Sequence, residues 1–185
     1  MPTETLLGVA VGLGLAAACG FRVFVPLLVM GVTARLGWFE PSAGFAWVST
    51  TPALVAFGVA TAAEIAAAHV PWLDHLLDVI AAPLAVLAGA MMMAGSLGDV
   101  SPLLRWSFAL IAGGGTAGLF HGLNALLRGG STVVTAGFGN PLFAAIETGG
   151  AFVLAIGAIL VPLAGLAVAV VAAAIVWRWN RRHTA

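Results

Sequence analysis

Ionisable side chains stand at four places where the sequence is otherwise apolar enough to cross a membrane: Arg22, Glu64, His121 and Glu147. A charge at the centre of a bilayer costs about 2.5–3.5 kcal/mol on insertion scales, so we expect these residues to face the protein interior or a wet cavity. A carboxylate in that setting pairs with a cation or takes up a proton. The residue types therefore favour a buried site for a proton, a cation or an anionic group.

Arg22 is the expected partner of one of the two glutamates. In the second half of the chain Asn124 occupies the position equivalent to Arg22, so we expect no second arginine at the site. One carboxylate would then be ion-paired and the other more easily protonated, which suits a proton- or cation-coupled site. The alternative is structural, with the buried charges fixing helix register and His121 acting as a packing residue.

A degenerate internal duplication relates the two halves of the chain. Three marks recur in the same order: Gly20-Phe21-Arg22-Val23-Phe24-Val25 as Gly122-Leu123-Asn124-Ala125-Leu126-Leu127, Glu64 as Glu147, and Pro83-Leu84-Ala85-Val86-Leu87-Ala88 as Pro162-Leu163-Ala164-Gly165-Leu166-Ala167. Three membrane spans in each half would make the second copy inverted relative to the first, as in many transporters. The predicted site between the repeats is lined by Arg22, Glu64, His121, Asn124, Asn140 and Glu147.

Composition sets the class of protein. Hydrophobic residues make up 62% of the chain and charged residues 8%, whereas a soluble domain carries about 25% charged residues. We therefore expect a multi-pass membrane protein. All seven basic residues are arginine and Ala and Gly are abundant, which indicates GC-rich bacterial coding and hence the bacterial inner membrane. The net charge of zero gives no support for nucleic-acid binding, and the single cysteine excludes an internal disulfide.

The predicted fold is all-α: a polytopic membrane helical bundle of about six transmembrane helices, in two inverted three-helix repeats with broken helices. It forms one domain over residues 1–185, with repeat 1 at about 5–97 and repeat 2 at about 103–179. The first span, about 5–34, is expected to be kinked or broken near Gly20 and Pro26. The other spans are expected at about 52–70, 80–97, 103–127, up to 158, and 162–179. Only Pro162 separates the last two spans, so five spans is the alternative.

Arginine distribution predicts the orientation. With six spans both termini share one side with the Gly-rich loop at 128–141, and that side holds Arg128, Arg178, Arg181 and Arg182, against Arg35 and Arg105 on the other. The positive-inside bias then places both termini in the cytoplasm. Small residues on the helices favour close helix contact and a homodimer.

A separate short helix at the membrane interface is expected over residues 71–78. It carries the candidate metal ligands Asp74, His75 and Asp78, two or three of which could meet one ion. A solvated polar helix face is the favoured interpretation of the same residues. Whether the protein holds a cofactor is unknown from the sequence.

The combined motifs resemble a family of integral-membrane proteins catalogued as domain of unknown function DUF4126. The likeness covers nearly the whole chain and is carried by Gly20-Phe21-Arg22 with Phe24 and Pro26, Glu64, Pro71-Trp72 with Asp74, Leu77 and Asp78, Pro83, Ser101-Pro102 with Arg105-Trp106, Gly113-Gly114, Arg128 with Ser131-Thr132, and Gly139-Asn140-Pro141 with Glu147. The resemblance implies a bacterial multi-pass membrane protein with plant relatives. It implies no agreed activity and supplies no catalytic residues.

The leading functional hypothesis is a small transporter or channel-like permease for a small anion or a lipid phosphate head group. The alternatives are a non-transporting scaffold or assembly subunit of a larger membrane complex, and an intramembrane lipid-modifying enzyme, which is the least favoured. A cavity that reaches Glu64 and Glu147 would favour transport. A dry core with Arg22 locked to a carboxylate would favour the scaffold.

Overall fold

The structure is a computed structural model that describes the backbone of residues 2–68, 71–135 and 140–162. Side chains are described for residues 4–68, 80–131, 134 and 142–162. Nearly all of these residues are helical, and no strand occurs among them. The α-helices are α1 (Pro2–Phe21), α2 (Phe24–Arg35), α3 (Thr51–Ala67), α4 (Pro71–Ser96), α5 (Pro102–Phe108), α6 (Gly115–Thr135) and α7 (Asn140–Leu160); a 3-10 helix (Ala43–Ser49) precedes α3 and a π-helix (Ala109–Gly114) joins α5 to α6.

A break at Arg22 and Val23 separates α1 from α2. Its cause is local, because Pro26 has no N–H to bond the carbonyl of Arg22 and its ring clashes with that carbonyl. The break leaves the Val23 and Phe24 amides outside any helical bond. The predicted interruption near Gly20 and Pro26 is therefore confirmed.

The two helices form a hairpin and not a kinked crossing. A Cβ placed on Gly8, early in α1, would lie 2.5 Å from the carbonyl oxygen of Ser96, at the end of α4. Met30, in α2, reaches the same end of α4, with its Cε 2.6 Å from a Cβ placed on Gly95. About 20 Å of helix separates Gly8 from the break, at 1.5 Å per residue. Only a chain that turns back at the break brings both residues to the end of α4.

We call the end of the bundle that holds Gly8 and Ser96 the near end, and the opposite end the far end. The loop after α2 also lies at the near end, because the Ser42 amide donates to the carbonyl of Gly95 at 2.8 Å. Arg35 ends α2 and Arg105 lies in α5, beside the turn that follows Ser96. The expectation that the N-terminus lies opposite these arginines is therefore wrong.

Helices α1 and α6 run parallel. Met93 of α4 packs against Gly12 of α1 and against Gly113 of the π-helix that leads into α6, while Gly20 of α1 packs against Phe120 of α6. Positions 12 and 113 are thus level, and so are positions 20 and 120. These two helices carry the first mark of the duplication, so the expected inversion does not hold for them. Helices α1 and α6 run in the same direction because the chain reverses at the hairpin tip.

Two boundaries differ from the sequence prediction. Residues 71–78 belong to the continuous helix α4, which includes Pro83, so they do not form a separate interfacial helix. Helix α6 extends to Thr135, so the predicted loop at 128–141 is helical over most of its length. The predicted sixth span lies outside the described residues apart from Pro162.

Helix length and composition mark this as a membrane protein. Three stretches are long and apolar enough to cross a bilayer, namely Glu4–Phe21, Pro102–Ser131 and Leu142–Leu160. A fourth arises if the 3-10 helix and α3, which meet at 66°, are taken as one span. Two shorter apolar helices, Phe24–Arg35 and Ile80–Ser96, pack among them. All of these counts refer to the described part of the chain.

The crossing of α4 with the π-helix is a direct backbone contact. A Cβ placed on Gly113 would lie 2.5 Å from the carbonyl oxygen of Gly89 and 2.6 Å from Cβ of Met93. Glycine therefore lets the two backbones touch, as small residues do at membrane helix crossings. The glycines of the fourth span predict either very close packing or local unwinding, and at this crossing the packing is close.

The hairpin predicts which positions share a membrane side. In a Cys19→Ala background, cysteines at Glu4 and Glu40 should react with an impermeant thiol reagent from one side, and a cysteine at Gly130 only from the other. Sided labelling of intact cells and of inverted vesicles measures this. Labelling of positions 4 and 40 from opposite sides would show that α1 and α2 form a single crossing.

Gly113→Ala should lower the free energy of unfolding by about 1–3 kcal/mol, because the added methyl overpacks a backbone contact. Gly115→Ala, two residues further on at the start of α6, is the matched control, since a Cβ there meets no atom within 4 Å. That substitution should be neutral or raise stability by about 0.5–1 kcal/mol. Unfolding in mixed micelles, followed by tryptophan fluorescence, gives both values, and an equal response would contradict the close crossing.

Candidate functional site

Glu147 is the centre of a buried polar cluster. It lies in α7 and is 1% exposed. Its Oε1 accepts from Nδ2 of Asn124 at 2.8 Å and from Nε of Arg128 at 3.1 Å. Its Oε2 contacts Nη2 of Arg128 and lies 3.3 Å from Nη2 of Arg22. Both carboxylate oxygens are thus held by charged or amide side chains.

Arg22 ties the tip of the hairpin to α7. The residue is 5% exposed. Its Nε donates to Oγ1 of Thr148 at 3.2 Å, and its Nη2 donates to the carbonyl of Ala144 at 3.3 Å. The Thr148 hydroxyl in turn donates to Ala144 at 2.8 Å. A planar guanidinium suits this role because its donors are arranged in a fixed fork.

Glu64 has a different environment. It projects from α3, and its Oε1 and Oε2 accept from the Val23 and Phe24 amides at 2.8 and 3.1 Å. These amides are the donors that the break at Arg22 exposes. The carboxylate therefore caps the N-terminus of α2 from another helix, where the helix dipole favours negative charge. Glu64 is half-buried.

A cavity of about 420 Å³ lies beside Glu64, between the start of α2, α3 and α4. The described residues that line it are Val23, Phe24, Ala60, Ala63, Glu64, Ala67, Ile80, Ala81 and Leu84. Glu64 is the one ionisable side chain in this set. The described part of the wall is otherwise apolar, so it offers one polar anchor in a hydrocarbon-like surface.

The four charges together are balanced. Arg22 and Arg128 contribute two positive charges, and Glu147 with Glu64 contributes two negative ones. A buried ion pair gains little net stability, but removing one partner leaves an uncompensated charge and costs about 3–5 kcal/mol. The cluster around Glu147 is therefore held in place by the cost of disrupting it.

The structure brings together three of the predicted site residues, Arg22, Asn124 and Glu147, and places Glu64 against the residues that follow Arg22. His121 is half-buried, and its imidazole makes no hydrogen bond within the described region. Its backbone N packs closely against Gly20. The side chain of Asn140 lies outside the described residues.

Sequence reasoning missed Arg128 and Thr148. The Gly-rich sequence predicts a loop at Arg128, whereas this residue lies on α6, one helical turn beyond Asn124. Residues four apart share a helix face, so the Asn124–Arg128 spacing was the available signal. The expectation of no second arginine at the site is wrong for this reason. Nothing in the sequence around Thr148 marked it.

The candidate metal ligands Asp74, His75 and Asp78 have side chains outside the described set. Among the residues that are described, no group of three His, Cys, Asp or Glu side chains is placed to hold a metal ion. The chemistry available at the site is therefore that of one carboxylate locked by arginines and one held by backbone amides beside a cavity.

Comparison with known proteins gives one match. A model of the family described as Domain of unknown function (DUF4126) matches residues 9–182. No curated protein and no solved structure matches the chain.

The two carboxylates should differ in their effect on stability. Glu147→Gln removes the anion that contacts the buried Arg22 guanidinium and that Arg128 shares, so it should lower the free energy of unfolding by about 3–5 kcal/mol. Glu64→Gln keeps one oxygen for a backbone amide, so its loss should be smaller, about 1–3 kcal/mol. Denaturant unfolding of both variants in micelles tests the ranking. A larger loss for Glu64→Gln would reverse the assignment of roles.

Proposed function

We propose that this chain, which belongs to the DUF4126 family, is a small proton-coupled membrane permease. The structure divides the two criteria stated from sequence: the described cavity lining includes Glu64 but not Glu147, and Arg22 is locked to Glu147. In this proposal Glu64 is therefore the exchangeable carboxylate, and the Arg22–Glu147–Arg128 cluster is the fixed frame around it. The observation that carries the proposal is the contrast between the two glutamates. Glu147 is held by three side chains, whereas Glu64 is held by two backbone amides on the wall of a cavity.

The hairpin tip supports a transport role. Non-helical backbone within a membrane is tolerated where it is buried in protein or lines a cavity. Transporters of several folds place their binding sites at such broken helices, where half-helix ends meet the ligand. Here the break at Arg22 and Val23 lies against both glutamates and borders the cavity.

A proton can drive a local change at this point. The ionised Glu64 carboxylate accepts both amides at the start of α2, and charge-assisted bonds of this kind are about twice as strong as neutral ones. Protonation converts one oxygen into a neutral hydroxyl, which accepts from an amide more weakly than a carboxylate oxygen does. Proton uptake therefore weakens the link between α3 and the hairpin tip, while the Arg22 contacts to α7 hold. The protein then has two states, one with and one without the Glu64 bonds between α3 and the hairpin tip. A permease needs two such states to alternate between.

The proposal places the protein in the bacterial inner membrane as a multi-pass protein, with a homodimer as its assembly. We propose that α3, α4, α5–α6, α7 and the sequence-predicted final span cross the bilayer. The hairpin returns the chain to its starting side, so this odd number of crossings puts the two termini on opposite sides. The C-terminal arginines Arg178, Arg181 and Arg182 then favour a cytoplasmic far end.

A pH jump across proteoliposomes tests the proton site directly. The wild-type protein should give a transient charge displacement on a solid-supported membrane as Glu64 takes up protons. Glu64→Gln should abolish the transient. Glu40→Gln, which changes an exposed loop carboxylate, should leave it intact. A transient that survives Glu64→Gln, or its absence from the wild type, would contradict a proton-coupled permease centred on Glu64.

A further inference from the structure

We infer that the cavity beside Glu64 binds an amphiphile with an apolar body and a protonated amine head, which competes with a proton for the Glu64 carboxylate. This inference rests on the proposed function and names its substrate class. It replaces the small anion or lipid phosphate expected from sequence, for reasons that lie in the cavity wall.

The body of the ligand follows from the lining. Eight of the nine described lining residues are apolar, and they come from three different helices. Such a surface gives no hydrogen bonds to a sugar, a nucleotide or a hydrated ion. Ligand pockets of about 300–1,000 Å³ bury most of a small molecule, and the volume of about 420 Å³ lies at the lower end of that range. A short hydrocarbon body suits it.

The head group follows from charge. Glu64 spends one acceptor position on each of its two backbone partners, and an ionised carboxylate has about four such positions. The remaining acceptor positions of the carboxylate can be filled by a hydrogen-bond donor of the ligand. An ammonium group supplies such donors together with the opposite charge. An anionic head group would be repelled by the Glu64 carboxylate, and the described lining contains no arginine that could attract it. Arg22 instead uses its guanidinium on α7.

The rim indicates how the ligand enters. Ile80 and Leu84, on the α4 side of the cavity, are 48% and 38% exposed, and Ala63 on α3 is exposed as well. Exposed apolar side chains of a membrane helix lie against acyl chains. The cavity can therefore be reached sideways from the bilayer, where an amphiphilic amine is already concentrated by its apolar body.

Three probes with the same tail test the head group: decylamine, decanol and decanoate, bound to the full-length protein in nanodiscs and measured by equilibrium dialysis. Decylamine should bind at least tenfold more tightly than the other two. Glu64→Gln should remove that preference, whereas Glu40→Gln should keep it. Ala63→Leu keeps the carboxylate but fills the cavity, and should weaken all three probes together. This variant remains informative if Glu64→Gln folds poorly.

Decylamine binding should also weaken as the pH falls. The amine stays protonated throughout, because an alkylammonium resembles lysine with a pKa of about 10.4, so the change reports proton competition for Glu64. Equal binding of the three probes, or a preference for decanoate, would overturn the inference. Failure of decylamine to bind while the pH-jump transient persists would overturn the substrate class alone. Binding without a transient would instead overturn the proton-coupled permease and keep the amine site.

Discussion

The contact on which the rest of this structure depends is the carboxylate of Glu64 on the amides of Val23 and Phe24. A polypeptide that stops being helical inside a membrane exposes donors that no water can satisfy, at a cost of several kcal/mol each. Pro26 makes that exposure unavoidable at this point in the chain. A glutamate from a neighbouring helix removes the cost, and so permits α1 and α2 to fold back on each other.

The division of work between the two glutamates follows from what surrounds them. Arg22 stands at the tip of the hairpin but bonds to α7, so it fixes the hairpin to the second half of the chain. Arg128 completes the charge balance at Glu147. Glu64 is thereby left as the carboxylate whose partners are backbone amides and whose neighbour is a cavity. In the proposed mechanism the contacts of Glu147 stay fixed, and those of Glu64 change when it takes up a proton.

The chemistry of the site was more predictable from the sequence than the path of the chain. Gly20 and Pro26 located the break, because a proline interrupts helical bonding wherever it stands, but a break does not specify the angle between the two helices. The hairpin depends on contacts between residues far apart in sequence, such as Met30 with Gly95. Gly129 and Gly130 suggested a loop, yet α6 continues through them, because helix propensity is a weak guide to where a helix ends. That error concealed Arg128, whereas membership of the family was predictable from the motif string alone.

The π-helix at Ala109–Gly114 sets which side of α6 each later residue of that helix faces. Its wider turns accommodate a surplus residue relative to an α-helix, and one residue corresponds to about 100° of rotation about the helix axis. The extra residue therefore sets the direction in which Asn124 and Arg128 project from the axis of α6. A single-residue deletion within the segment would swing both side chains away from α7, although no residue of the polar centre would have been altered.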